Sequence, residues 1–161
     1  MALSSEMKFR LDKIDALVEK GYLVKKTGFL PTPTLTSPEG KYVNTVLQGK
    51  YGDDPLAGFS WIAFFFPFVF ATKIRDWDYF WFVGIMGFIF TILELIFNLD
   101  LSSALSIGIP LFYGSGYPYQ RWFFQKSNKQ EIGTFKSVLL GILLTLVAAI
   151  PSLIIYGTFS P

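Results

Sequence analysis

The chain has 161 residues, with 14 Lys+Arg against 12 Asp+Glu and neither His nor Cys. The missing Cys excludes disulfides, thiolate metal sites and catalytic thiols. The missing His excludes His-ligated haem, the usual zinc site and a Ser-His-Asp triad, and a net charge of +2 is too small to argue for nucleic acid. Charged residues make up 16% of the chain, where soluble domains carry about 25%. Aromatics make up 19%, including 18 Phe. A soluble chain of this size could not hide so much apolar surface, so the composition reads as an integral membrane protein. The length suits one domain with a small appendage.

The first 55 residues are polar, hold eight of the 14 basic residues and contain no apolar run of spanning length. They show no signal-peptide core, and they are expected to form a small helical cytoplasmic region. Met7, Leu11, Ile14 and Val18 recur at spacings of four, three and four. That pattern predicts a helix from Ser5 to Lys20 with one apolar stripe. Ser4 or Ser5 caps its start, Gly21 suits its end, and Glu6 and Arg10 stand four apart in the favourable order. Pro31, Pro33 and Pro38 break regular structure. A second short helix is expected from Glu39 to Gln48, with Val43, Val46 and Leu47 on one face.

Four apolar segments follow: Leu56–Thr72, Tyr79–Asn98, Leu101–Tyr119 and Ser137–Tyr156. Crossing the hydrocarbon takes roughly 20 residues. The second and fourth meet that comfortably and the third adequately, but the first is short and contains Pro67. Charge decides its path. If all four crossed from a cytoplasmic N-terminus, Lys73, Arg75, Arg121, Lys126, Lys129 and Lys136 would all lie outside. If the first segment re-enters or lies in the interface, all 14 basic residues become cytoplasmic, as the positive-inside rule prefers. The expected fold is therefore all-α: three transmembrane helices (79–98, 101–119 and 137–156) plus a re-entrant or interfacial aromatic helix (56–72). The C-terminus then lies opposite the cytoplasmic N-terminus. Trp61, Trp77, Tyr79 and Trp81 fall at the cytoplasmic interface.

The stretch Phe59-Ser60-Trp61-Ile62-Ala63-Phe64-Phe65-Phe66-Pro67-Phe68 leads into a basic turn, Lys73-Ile74-Arg75, and an aromatic helix start, Asp78-Tyr79-Phe80-Trp81. Over roughly residues 57–157 the chain resembles a family of small bacterial membrane proteins, domain-of-unknown-function family 2628. Its members carry a Phe-x-Trp-x-Ala-Phe-Phe-Phe element, a Pro, a basic turn and further apolar helices. A tyrosine ahead of a basic stretch, here Tyr113 or Tyr119 before Arg121, is a further point of likeness. The resemblance implies a bacterial inner or internal membrane and this architecture. It carries over no catalytic residue.

Three stripes of small or polar residues run along the spans: Gly84, Gly87, Thr91, Glu94 and Asn98; Ser103, Ser106, Pro110 and Gly114; and Ser137, Gly141, Thr145, Ala148 and Ser152. Such stripes let helix backbones approach, so these are the expected helix–helix faces. Glu94 is the one ionisable residue well inside a span. Its depth matches those of Ser106 and Ser152, which predicts a polar cluster of the three near the outer surface. Gly114-Ser115-Gly116-Tyr117-Pro118-Tyr119 lacks the Lys-Ser/Thr of a Walker motif and reads as a broken helix end. Pro151 is expected to kink or end the fourth segment. Asp76 and Asp78, beside Lys73 and Arg75, come nearest to a metal or phosphate site, and a solvated charged turn explains them equally.

No catalytic constellation, cofactor site or metal set is visible. The function expected is that of a non-catalytic accessory, assembly or stabilising subunit docked on a larger membrane complex. Its candidate contact residues are Trp61, Phe64, Phe65, Phe66, Trp77 and Trp81, because aromatics anchor interfaces. The alternative is a small oligomeric transporter, channel or lipid-handling protein, which would work as a homo-oligomer. The expected partners are the lipid bilayer and a protein complex, without nucleic acid.

Overall fold

A computed structural model describes residues 3–26 and 33–159; Pro31 lies outside them. The first helix, α1 (Ser5–Glu19), is capped by Ser4, whose Oγ accepts the Met7 N–H at 3.2 Å. Its buried face is Leu11, Ile14 and Leu17, while Val18 is exposed. The stripe thus drifts by one residue from the expected one, because 3.6 residues per turn carries Leu17 toward the neighbouring sheet. That sheet has three antiparallel strands in the order β1 (Leu23–Lys25), β2 (Thr34–Thr36), β3 (Tyr42–Val43). A second hairpin pairs β4 (Lys50–Tyr51) with β5 (Asp54–Pro55).

The helix expected at Glu39–Gln48 does not form, and the N-terminal region is α+β rather than helical. Ser37 and Lys41 close a turn (Ser37 N–H to the Lys41 carbonyl, 2.8 Å), with Gly40 at φ +81. The turn sends Tyr42 and Val43 back along β2, opposite Thr36 and Leu35. Val43 and Leu35 are then buried with Leu17, Tyr22 and Leu56. A short segment with one β-branched pair of valines reads as a helix face or as a strand, and here burial against α1 decides.

The aromatic segment forms two short helices, α2 (Trp61–Phe65) and α3 (Pro67–Lys73). Proline lacks an N–H and suits a first helical position, so Pro67 ends one helix and starts the next. At five and seven residues, each is far short of the roughly 20 needed to cross a bilayer. Three long helices follow: α4 (Asp78–Phe97), α5 (Ser102–Lys126) and α6 (Thr134–Phe159). Asn98, in the left-handed conformation, ends α4.

Among the described residues, two helices are long and apolar enough to cross a membrane, α4 and α6. The third candidate behaves differently. α5 does not end near Gly114–Tyr119 as expected but continues to Lys126, and residues 113–121 are all buried. Pro118 cannot donate to the Gly114 carbonyl four residues back, yet that oxygen is satisfied by the Ser60 N–H at 2.9 Å. Gly114 is also where the aromatic segment touches α5, since a Cβ there would lie 2.8 Å from the Phe59 ring. Packing thus keeps helical a stretch whose local sequence disfavours helix. On its other side α5 meets α1: Tyr119 packs with Leu11, Ile14 and Ala57, and Asp15 accepts from Trp122 Nε1 at 2.8 Å.

α4 and α6 run parallel. Gly84 lies against Ala148 and, one turn on, Gly87 lies against Ser152. Below this contact, Gly141 of α6 admits the backbone of α3, where a Cβ would come within 2.8 Å of the Phe68 carbonyl oxygen. The small-residue stripes on the second and fourth segments are therefore contact faces. Ser103 and Ser106 on α5 point outward instead.

Candidate functional site

The turn between α3 and α4 buries a carboxylate, that of Asp76. The Asp76 N–H donates to the Ala71 carbonyl at 2.8 Å and the Arg75 N–H to the Thr72 carbonyl at 3.0 Å, with Arg75 at φ +55. This is a Schellman closure of α3 with arginine in the left-handed position that glycine usually fills. It turns Asp76 inward, leaving it 3% exposed. Lys26, just past β1, reaches Asp76 Oδ1 at 3.2 Å and Asp78 Oδ2 at 2.8 Å. Burial pushes the Asp76 carboxyl up to about 6, against the pull of Lys26. Burial works against the Lys26 ammonium, but its hydrogen bond to Asp78 and the charge of Asp76 hold its pKa above the ordinary value.

Asp76 Oδ2 is buried without a hydrogen-bond partner among the described residues, as is the hydroxyl of Tyr113, whose ring packs on Tyr79 at 4.8 Å. A recess of roughly 260 Å³ opens beside Asp76, walled by Lys26, Arg75, Gln120, Phe123 and Lys129. A second ion network fixes the neighbouring loop: buried Arg121 bonds Glu131, which also approaches Lys73 at 3.7 Å. Burial raises the Glu131 pKa, yet Arg121 and Lys73 together hold it below the ordinary value. No group of three or more potential metal ligands exists among the described residues. Lys26, Arg75 and Lys129 give the recess a cationic lining around the buried Asp76.

The expected contact residues fall into two places. Trp61, Phe65 and Phe66 are exposed on and after α2, and Trp61 stacks on Phe65 with centroids 6.3 Å apart. Phe64 is half-buried, with its ring 5.7 Å from that of Phe59 and its Cβ near Gly114. Trp77 and Trp81 instead line an apolar groove of roughly 510 Å³ between α4 and α6, with Phe80, Gly84, Phe88 and Ala148.

The expected cluster of Glu94, Ser106 and Ser152 does not converge. A Glu94 oxygen accepts the Leu101 N–H at 2.8 Å and so closes the α4–α5 turn. The Ser106 hydroxyl donates to the Ser102 carbonyl in its own helix at 2.7 Å. Ser152 faces Gly87. Equal depth along a helix axis does not fix the direction in which a side chain points.

Sequence reading noticed Asp76 and Asp78 but missed Lys26, which lies 50 residues before Asp76. A lysine beyond a strand end carries no local signal of its partner. The chain matches no protein-family model, no curated protein and no solved structure.

Proposed function

We propose that the chain is a non-catalytic integral membrane protein that docks on a larger membrane complex as an accessory, assembly or stabilising subunit. The observation that carries this reading is the aromatic edge of α2. Trp61 is 64% exposed, and Phe65 and Phe66 stand beside it, on a helix too short to hold itself. α5 fixes the inner face of α2 at Gly114, so the rings are presented rigidly. Rigid aromatic rings are the common anchors of protein interfaces.

The parallel packing of α4 and α6 supports a three-span topology. If both cross in one direction, the chain between them has to return, and α5 is the element available. By Tyr113 it is back at the level of Tyr79, at the start of α4. All 14 basic residues then share one side with the N-terminal region, and α2–α3 lies at that interface without crossing. The resemblance to small bacterial membrane proteins points to an inner or internal bacterial membrane.

The test is purification of the tagged chain in mild detergent, followed by native mass measurement. The expected result is a stoichiometric protein partner that is lost when Trp61 and Phe65 are replaced by Ala. The apolar groove beside Trp81 favours the second reading, a small oligomeric transporter, channel or lipid-handling protein. A homo-oligomer with no other protein, unaffected by those two replacements, would establish that reading over docking.

A further inference from the structure

α4 and the returning part of α5 are unequal in length. From Tyr79 to Phe97, α4 rises roughly 27 Å. α5 covers only roughly 17 Å, from Ser102 to Tyr113, before it is level with Tyr79 again. The turn at Asn98–Leu101 makes up the difference of about 10 Å by running back down the side of α4. The hydrogen bond from the Leu101 N–H to Glu94 shows the same offset, because a helical side chain leans toward its own N-terminus. α5 therefore begins well below the end of α4. The side chains exposed over its first turn and a half are small or polar: Ser102, Ser103, Ala104 and Ser106. On α5, large apolar side chains are exposed only from Ile107 onward. Asp100 is exposed beside them, Glu94 is half-buried, and neither pairs with a cation among the described residues. A cavity of 1120 Å³ opens over the turn, lined by Glu94, Asn98, Asp100, Ser102 and Tyr156. α6 differs at the same depth. Beside its contact of Ser152 with Gly87, it exposes Ile150, Leu153 and Ile154.

The length of α4 matches a hydrocarbon core of about 30 Å. Asp100 and the first turn of α5 then lie about 10 Å below the outer boundary. A carboxylate is costly in hydrocarbon, and a bilayer thins beside an apolar surface that is too short for it. We propose that the outer leaflet dips beside α5, so that water and lipid headgroups reach down to Ser106, while the full apolar depth is kept along α4 and α6. The partner of this face is the membrane surface rather than a second protein. Asp100 already accepts the Ser102 N–H at 3.0 Å, and Glu94 accepts that of Leu101. What the two carboxylates lack is solvent. The chain thus acts as a one-sided wedge that thins the leaflet opposite its basic face. This inference rests on the three-span reading above and is independent of docking through α2.

The experiment uses the full chain with one introduced cysteine, Ser106→Cys, Leu153→Cys or Thr158→Cys, and a charged, impermeant maleimide. All three positions are exposed, and cysteine is close to serine in size, so the packing is kept. Labelling rates are measured in intact cells, and again on purified chain in phosphatidylcholine vesicles with reagent on both faces. By the Gly87–Ser152 contact, Leu153 lies slightly nearer the outer end than Ser106, so depth alone would favour Leu153. The expected result is the reverse. In both settings Ser106→Cys should react about tenfold faster or more than Leu153→Cys, because hydrocarbon excludes a charged reagent. Ser103→Cys should react as fast as Ser106→Cys. Leu153→Cys should react only after detergent is added. Protection of Ser106→Cys in vesicles that leave Thr158→Cys reactive would overturn the dip. Equal reaction of Leu153→Cys would overturn its restriction to the α5 side. Reaction of Ser106→Cys in vesicles with protection in cells would show a protein over the face and overturn the membrane surface as its partner. Failure of Thr158→Cys to react in intact cells would instead defeat the three-span reading.

Discussion

Arg75 holds a left-handed backbone that a side chain with a Cβ adopts only at a cost of roughly 1–2 kcal/mol, and nothing in its hydrogen bonding requires a guanidinium. Arg75→Gly is therefore expected to raise stability by about 1 kcal/mol, less what glycine loses through its freer unfolded chain. Equilibrium unfolding in detergent checks this. Asp76, next along the chain, links stability to pH. Its folded pKa of about 6 lies above the unfolded value of roughly 3.9. The folded state therefore holds more protons between these values, and this group's contribution to stability is full below pH ~4 and is lost as pH rises toward 6. The loss is on the order of 3 kcal/mol. Asp76→Asn should flatten that part of the curve of unfolding midpoint against pH, whereas Asp78→Asn should leave the fall in place. Both aspartates were legible as a charged turn because they sit together before an apolar helix. Which of them is buried was not legible, because inward rotation of Asp76 depends on a backbone conformation that arginine rarely adopts.

Among the elements, the long apolar helices were the most legible. Expected at 79–98 and 137–156, they run at Asp78–Phe97 and Thr134–Phe159. Twenty apolar residues between charged turns leave few alternatives to a helix. Short elements depend on what covers them. Tyr42–Val43 became a strand because Leu35 and Leu17 wait on one side, and residues 113–121 stayed helical because α1 and α2 bury them. The same contrast predicts unequal effects of a single substitution. A Cβ on Gly84 would stand 3.2 Å from the Ala148 carbonyl oxygen, while Gly108 on α5 has open space around it. Gly84→Leu must push α4 from α6 and should destabilise by about 1–3 kcal/mol. Gly108→Leu should be neutral or stabilising by up to about 1 kcal/mol, since leucine favours helix over glycine. Thermal unfolding of the two variants side by side checks the difference.

At the scale of the whole molecule, the proposed topology turns on one contact, the parallel seam of Gly84 with Ala148 and Gly87 with Ser152. Parallel helices that both span place their N-terminal ends on one face and their C-terminal ends on the other. Lys50, in the N-terminal sheets, and Thr158, near the end of α6, are then separated by the bilayer under the proposed topology. The chain has no cysteine of its own, so a single introduced thiol reports without background. Both positions are exposed, which keeps either replacement from disturbing the packing. Thr158→Cys is expected to react with an impermeant thiol reagent in intact cells, and Lys50→Cys only after permeabilisation. Reaction of both in intact cells, or of neither, would show the two positions on one side. That result would leave the parallel seam intact but require either that the aromatic segment before α4 cross as well or that α4 or α6 lie outside the membrane, because two parallel spans joined by a returning α5 carry the chain to the opposite face.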